Sequence, residues 1–323
     1  MEALRSAWGF GADQLVFQPV GFGSFHWLAR SGQGDERFVT VDDLHERRRH
    51  PAETTQVSFE RLRGAFEAAY ALGTTAGLDF VVGPLPDRQG SVLWRLDDRY
   101  SLVVHPLIVG SQAGENGQFH SATERAEIAE RLVELHRCSD VASAAPREDG
   151  ILPNRDRLLS ALDRLGQAWD TGPYGEAARR LLEVHGAEIE ILLRTYDRWA
   201  DEVLSDPDRW VITHGEPGAA NVLVTAGGPV LVDWESALIA PPERDLWDLA
   251  EGDPSVLGRY RASGARVQSR ALSFYRLYYD LFEIGGYIGL FGSHHGEDAD
   301  TNESWKNLSY FLRPVERWPE LVG

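Results

Sequence analysis

The chain is poor in several things, and each shortage excludes a class of protein. It has one cysteine, Cys138, in 323 residues. No intrachain disulfide is possible, and no metal centre can be built on cysteine spacing, which fits a reducing compartment. No apolar run approaches the 18 or so residues needed to span a bilayer. The start, MEALRSAWGFGADQ, has no basic segment followed by an apolar one. The expectation is a cytoplasmic protein that does not enter the membrane. Positive charge is also short: 32 Lys and Arg face 50 Asp and Glu, for a net charge of −18. That argues against nucleic acid as a partner and suits a cationic small molecule. Lysine is almost missing: Lys306 stands alone, so the other 31 of those 32 basic residues are arginine.

What is present reads as two regions. Leu15 to Arg30 looks like a strand, a glycine-bearing turn and a second strand, and Arg37 to Leu44 like a third. Phe59, Leu62, Phe66, Ala69 and Tyr70 recur at helical spacing, so 58–72 predicts an amphipathic helix. Three strand-like runs follow at 80–82, 91–95 and 100–104. After HPLIVGSQAG, His105 to Gly114, the composition turns helical. Helices are expected at 122–137, 156–169, 174–194 and 270–282, and an acidic surface loop at 294–304. The expected fold class is α+β: a β-rich N-lobe (residues 1–104) with one helix, a hinge at about 105–110, and a larger, mainly helical C-lobe (105–323). A cleft between two such lobes is a favoured place for a small-molecule site.

One stretch inside the helical region breaks the pattern. THGEPGAANVLV, Thr213 to Val224, is followed by VDWES, Val232 to Ser236. The strands 221–224 and 230–232 predict a hairpin around TAGGP, Thr225 to Pro229. The hairpin would bring Asn221 and Asp233 side by side, near Glu216. An amide oxygen and a carboxylate are hard ligands that suit Mg²⁺ better than zinc. A carboxylate on a tight loop can take a proton from a hydroxyl. An acid, an Asn and an Asp on metal, and a glycine-bearing loop over phosphates are the parts of a phosphoryl-transfer site.

These residues resemble the aminoglycoside phosphotransferase family, antibiotic and small-molecule kinases with a protein-kinase-like two-lobe fold. HGExxxxN with VDWE is similar to the family's catalytic loop and metal-binding Asp. ERDLWDL, Glu243 to Leu249, resembles the helix start that follows, and GFGSFHW, Gly21 to Trp27, the nucleotide-covering hairpin. YRLYYDLFEI, Tyr275 to Ile284, is similar to a substrate-side helix of the spectinomycin-phosphotransferase-like branch. The resemblance implies that Glu216 takes the catalytic acid's place, braced by His214, and that Asn221 and Asp233 hold Mg²⁺. It implies Ser24, Phe25 and His26 near the β- and γ-phosphates of ATP or GTP, and the Leu107 amide at the base. The acceptor would be a hydroxyl of an aminoglycoside, aminocyclitol or nucleoside antibiotic, or of a metabolite, with Asp280 and Glu283 meeting its cationic groups.

Two departures stand out. The family's loop acid is usually Asp, and here it is Glu216. The family's third strand carries a lysine on the α/β-phosphates, whereas this chain has Thr40 or Val41 there. His26, Arg61 and Arg63 are the substitutes in view, and Asp42 and Asp43 would repel phosphate unless they bind metal or point away. The missing lysine keeps open a second reading, a pseudokinase-like protein that binds a nucleotide or small molecule without transferring phosphate.

Overall fold

Alternating apolar residues build a five-stranded antiparallel sheet in the computed structural model, which describes residues 1–20, 23–115 and 118–322. Its strands are β1 (Ala12–Gln18), β2 (Ser24–Ser31), β3 (Glu36–Asp43), β4 (Trp94–Arg95) and β5 (Tyr100–Pro106), ordered β1-β2-β3-β5-β4. One face buries Ala12, Ala29, Val39, Leu102 and Val104 with Leu4 of a short helical turn, Leu4–Trp8. Helix α1 (Thr55–Thr74) leaves the strand region through Thr54, whose hydroxyl accepts the Val57 amide and caps the first turn. Its buried stripe, Leu62, Ala65, Phe66, Ala69 and Leu72, follows the expected spacing.

The chain continues through the short strands β6 (Ser111–Gln112), β7 (Gly114–Glu115) and β8 (Gln118–Phe119) into α2 (Ala122–His136). A reciprocal box between Ser121 and Glu124 starts α2. Next come α3 (Arg155–Asp163), α4 (Gly175–Val203), β9 (Val211–Thr213), β10 (Val222–Thr225), β11 (Gly228–Leu231) and β12 (Leu238–Ala240). The last helices are α5 (Glu243–Gly252), α6 (Ser255–Ala262), α7 (Ser269–Phe291), α8 (Ala299–Phe311), α9 (Pro314–Arg317) and α10 (Pro319–Val322). An antiparallel sheet followed by a mainly helical remainder is the α+β class expected. Among the described residues, no helix is long and apolar enough to cross a membrane.

The chain forms two compact units. The first comprises residues 1–48, 53–148 and 206–268, and so carries the sheet, the stretch 105–110 and both loops of the HGE and VDWES motifs. The second comprises 49–52, 149–205 and 269–323. Its core is aromatic: Tyr196 of α4 stacks on Phe274 of α7 at 5.1 Å, and Trp199 packs edge-on to Trp318 at 6.2 Å.

Three local expectations change. The stretch 80–82 forms only a single bridge, Val81 to Leu231, rather than a strand. Half of the expected loop 294–304 is the start of α8, whose first turn is capped reciprocally by Asp298 and Thr301. Asp280 turns inward to a buried ion pair rather than standing at an open surface. It is 1% exposed, and its carboxylate accepts from Arg317 Nε at 2.8 Å, Arg317 Nη2 at 2.6 Å and Trp318 Nε1 at 2.8 Å. The carboxylate is thus neutralised inside the protein, in a buried pair with Arg317. Removing one partner of a buried pair leaves the other charge uncompensated, at about 3–5 kcal/mol. Asp280→Ala is therefore expected to lower thermal stability by that order and leave nucleotide affinity unchanged, as read by calorimetry and titration.

Candidate active site

Pairing of two short strands creates the site. β9 and β12 run antiparallel, with Thr213 opposite Leu238. This places the HGE loop, which follows β9, beside the VDWES loop, which precedes β12. Three hydrogen bonds lock the loops together. Ser236 Oγ donates to the His214 carbonyl at 2.9 Å, His214 Nε2 to the Val232 carbonyl at 2.8 Å, and Thr213 Oγ1 to the Leu238 carbonyl at 2.9 Å.

His214 is fully buried against the edge of Trp234, with ring centroids 4.6 Å apart. Burial pushes its pKa down, so the ring is neutral, carrying its proton on Nε2 and accepting the Glu216 amide on Nδ1 at 3.3 Å. Both nitrogens are used inside the loop, so His214 braces Glu216 and touches no reacting group.

Asp245, at the start of α5, anchors the loop from below. It accepts the His214 amide at 2.9 Å, the Gly215 amide at 2.6 Å and His136 Nε2 at 3.0 Å. Burial alone would raise its carboxyl; the His136 hydrogen bond and the Arg244 guanidinium hold it below the usual range. Gly215 has φ +104°, and a Cβ there would meet the Arg244 guanidinium at 2.4 Å. Glycine is required on both counts.

The hairpin β10–β11 forms as the turn residues foretell, with Thr225 opposite Gly228. The Val232 amide donates to the Asn221 carbonyl at 3.0 Å, which sets Asn221 next to the residue before Asp233. Asn221 Nδ2 donates to the Glu216 carbonyl at 3.0 Å, leaving its oxygen end for another partner. Asp233 stands at φ +65°, the left-handed region that Asp tolerates better than most residues. The three residues Glu216, Asn221 and Asp233 are thus gathered by one loop and one hairpin.

Glu216 and Asp233 keep surface open to solvent, yet protein crowds their carboxyls on most sides. Burial pushes Glu216 up, with Glu235 adding to it. Burial and the Glu216 charge raise Asp233 to about 6. Burial raises Glu235 too, with Asp233 and Asp42 adding to the rise and Arg47 opposing it. The excess of negative charge fits a divalent cation. Among the described residues, no three His, Cys, Asp or Glu side chains converge to hold an ion unaided. The fit is therefore to Mg²⁺ held by Asn221 and Asp233 with phosphate and water oxygens completing the shell, the pattern usual for that ion.

On the sheet, Ser24 opens β2 opposite Asp42 of β3, and its hydroxyl donates to Asp42 Oδ1 at 2.8 Å. Gly21 and Phe22 of the GFGS motif lie outside the described residues. Phe25 is 45% exposed. His26 Nδ1 lies 3.1 Å from Thr40 Oγ1, its ring stacks on Phe38, and burial pushes its pKa down. A neutral His26 tied to Thr40 is no phosphate clamp. Leu107 follows the end of β5, half-buried.

The two arginines offered in place of the missing lysine are committed elsewhere. Arg61 donates to Glu53 at 2.5 Å and to the Arg47 carbonyl at 2.5 Å. Arg63 is exposed and pairs with Glu60 and Glu67 along α1. A cation that does reach the sheet side of the site is Arg47, which the sequence reading passed over. It donates through Nη1 to Glu235 Oε1 at 2.5 Å, through Nη2 to Asp42 Oδ1 at 2.8 Å and to Ser24 Oγ at 2.5 Å, and pairs again with Glu235 Oε2. The available signal was ERRRH, 46–50, a basic run in an acidic chain directly after β3. Glu283, on α7, is half-buried and hydrogen-bonds Tyr287.

The sequence profile of the phosphotransferase enzyme family matches residues 84–278. Protein StrN of Streptomyces griseus is 33% identical over 261 residues, covering 77% of this chain and 76% of that one. Among solved structures, spectinomycin phosphotransferase in complex with ADP and spectinomycin superposes with a TM-score of 0.72 at 17% identity, covering 98% of this chain and 96% of that one. An amicoumacin kinase in complex with AMP-PNP and Ca²⁺ gives 0.63 at 11% identity, covering 98% and 92%. The fold is kinase-like.

Proposed function

The chain belongs to the phosphotransferase enzyme family, and from that premise we propose that it moves the γ-phosphoryl group of ATP or GTP, with Mg²⁺, onto a hydroxyl of an antibiotic. The acceptor class is an aminoglycoside, aminocyclitol or nucleoside antibiotic, and the role is resistance or self-resistance in the cytoplasm. The net charge of −18 supports a cationic acceptor.

The observation that carries this reading is the convergence of Glu216, Asn221 and Asp233 on two loops locked through His214 and Ser236. Glu216 orients the acceptor hydroxyl and takes its proton; crowding raises its carboxyl, which brings its basicity nearer the working pH. Asn221 and Asp233 would hold the ion, which when bound draws charge from the phosphoryl group in transfer. Ser24, Phe25 and His26 line the approach of the phosphates, with Thr40 beside them, and the Leu107 amide faces the base. Residues 1–104 form the nucleotide lobe and 105–323 the catalytic and acceptor lobe, with Glu283 on the acceptor side.

The test is nucleotide turnover by the purified protein with Mg²⁺ and ATP or GTP against a panel of such antibiotics. Acceptor-dependent release of ADP or GDP is expected. Glu216→Gln should lower kcat by about 100-fold with nucleotide affinity retained. A second reading, nucleotide binding without transfer, is favoured by one observation: β3 offers no lysine, and Thr40 is engaged with His26. Nucleotide binding with no turnover for any acceptor would bring that reading forward.

A further inference from the structure

We infer that Arg47 is the residue that grips the donor's phosphates in this protein, supplying from the loop after β3 the positive charge that β3 itself lacks. The inference rests on the phosphotransferase reading and deepens it.

Three observations meet at this side chain. The first is position. Arg47 is bonded to Ser24, where β2 begins, and to Glu235, two residues beyond Asp233. It therefore joins the hairpin proposed to cover the phosphates to the loop proposed to hold the metal. Its charge also acts on Asp233 and Glu216. The second is electrostatic balance. Asp42, Glu216, Asp233 and Glu235 are four carboxylates, and among the described residues Arg47 is the cation that pairs with two of them. A metal-bound triphosphate still carries net negative charge; Arg244 acts on Glu216, but Arg47 is the cation set between Ser24, Asp42 and Glu235. The third is hydrogen-bond capacity. Arg47 Nη2 has two protons and faces three acceptors, Asp42 Oδ1, Glu235 Oε2 and Ser24 Oγ. Ser24 can turn its own proton to Asp42 instead. Arg47 Nε also donates to Asp42 Oδ1 at 3.2 Å, so Asp42 keeps Nε and Ser24 as donors when Nη2 turns away. One Nη2 proton then stays with Glu235 and the other is available to an incoming oxygen, and Nη1 has a second beyond the one given to Glu235. A planar fork with two such protons matches a phosphate edge.

The surroundings hold the fork in place. Asp42 is fully buried, and its Oδ2 has no hydrogen-bond partner. The Arg47 carbonyl is fixed by Arg61, itself paired with Glu53. Asp42, which looks hostile to phosphate in the sequence, thus serves to seat the cation.

Calorimetric titration of the whole protein with Mg²⁺-ATP, ADP and the bare nucleoside tests this, using adenosine or guanosine to match the base that wild type prefers. Arg47→Gln is the first variant. Arg47→Gln with Asp42→Asn is the second, because it removes a buried carboxylate that the first leaves unpaired. ATP and ADP affinity should fall about 100-fold, the range of a charge-assisted bidentate contact, while nucleoside affinity holds within a factor of two or so. That selective loss in either variant supports the inference. Loss of nucleoside and nucleotide together in both variants, as a merely structural role would give, overturns it. So does unchanged ATP affinity. Wild-type protein that binds nucleoside but not ATP also overturns it. A wild type that binds neither overturns the phosphotransferase reading first, and that arm is read before any variant.

Discussion

Replacing Asp233 with asparagine is expected to cut acceptor-dependent turnover by about 1000-fold while making the metal-free protein more stable. The loss follows from removing one of two candidate metal ligands, because a bound ion contributes several kcal/mol of charge stabilisation to transfer, and each 1.36 kcal/mol is about tenfold in rate. Asparagine is the cleaner change. Position 233 has φ +65°, which asparagine tolerates and alanine does not, so alanine would confuse backbone strain with loss of charge. The gain has a different origin. Asp233 is raised to about 6 by burial first and the Glu216 charge second. A carboxyl whose folded pKa exceeds its unfolded value destabilises the fold when ionised. That penalty is fully present above about pH 6 and vanishes below the ordinary value of 3.8. Asp233 keeps contact with solvent, so screening reduces the effect to about 1 kcal/mol. In EDTA at pH 7.5 the variant should melt a few degrees higher than wild type, and at pH 3.5 the two should coincide. Calorimetry at both pH values with a turnover assay checks it. A variant that loses activity without the pH-dependent gain would mean that Asp233 is not in the crowded carboxylate cluster.

The legible part of the site was local in sequence. Glu216, Asn221 and Asp233 lie within 18 positions of one another, and a hairpin with an unmistakable turn sequence fixes their approach. The illegible part was long-range. Arg47 and Glu235 are 188 positions apart, and nothing in ERRRH says which of three arginines turns inward. Asp280 misled for another reason. It lies three positions after Leu277, one before Leu281 and four before Ile284, all buried on α7, so helical spacing already put it on the packed face. Its charge alone suggests a ligand contact, and the buried partner that neutralises it, Arg317, is 37 positions on, outside any local pattern. The acidity of 294–304 suggests a loop, although Asp298 followed by Thr301 is a helix start, and Leu308 gives that helix an apolar anchor.

Asp245→Ala should be the most damaging single change for the fold of the site. The carboxylate is 1% exposed and receives the amides of His214 and Gly215 and the ring of His136, while His136 in turn meets the Tyr260 hydroxyl at 2.6 Å. Truncation leaves two buried amides and an imidazole without partners. Each unsatisfied buried group costs about 1–3 kcal/mol, and breaking a buried charge network costs about 3–5 kcal/mol, so a loss near 4 kcal/mol is expected from these ranges. The same bonds hold the backbone from which Glu216 projects. A 1 Å displacement there costs on the order of 100-fold in rate, so kcat should fall by at least that factor even in the fraction that stays folded. Asp245→Asn separates the two contributions. Its oxygen can still accept one of the two amides, but its NH₂ cannot accept the other, and the carboxylate charge facing His136 is gone. Stability should fall by about half as much as in Asp245→Ala, with kcat intermediate. Equal stability of Asp245→Asn and wild type in chemical denaturation would show that hydrogen-bond geometry alone, without charge, holds the loop. Wild-type kcat in Asp245→Ala would show that the HGE loop keeps its shape without this anchor.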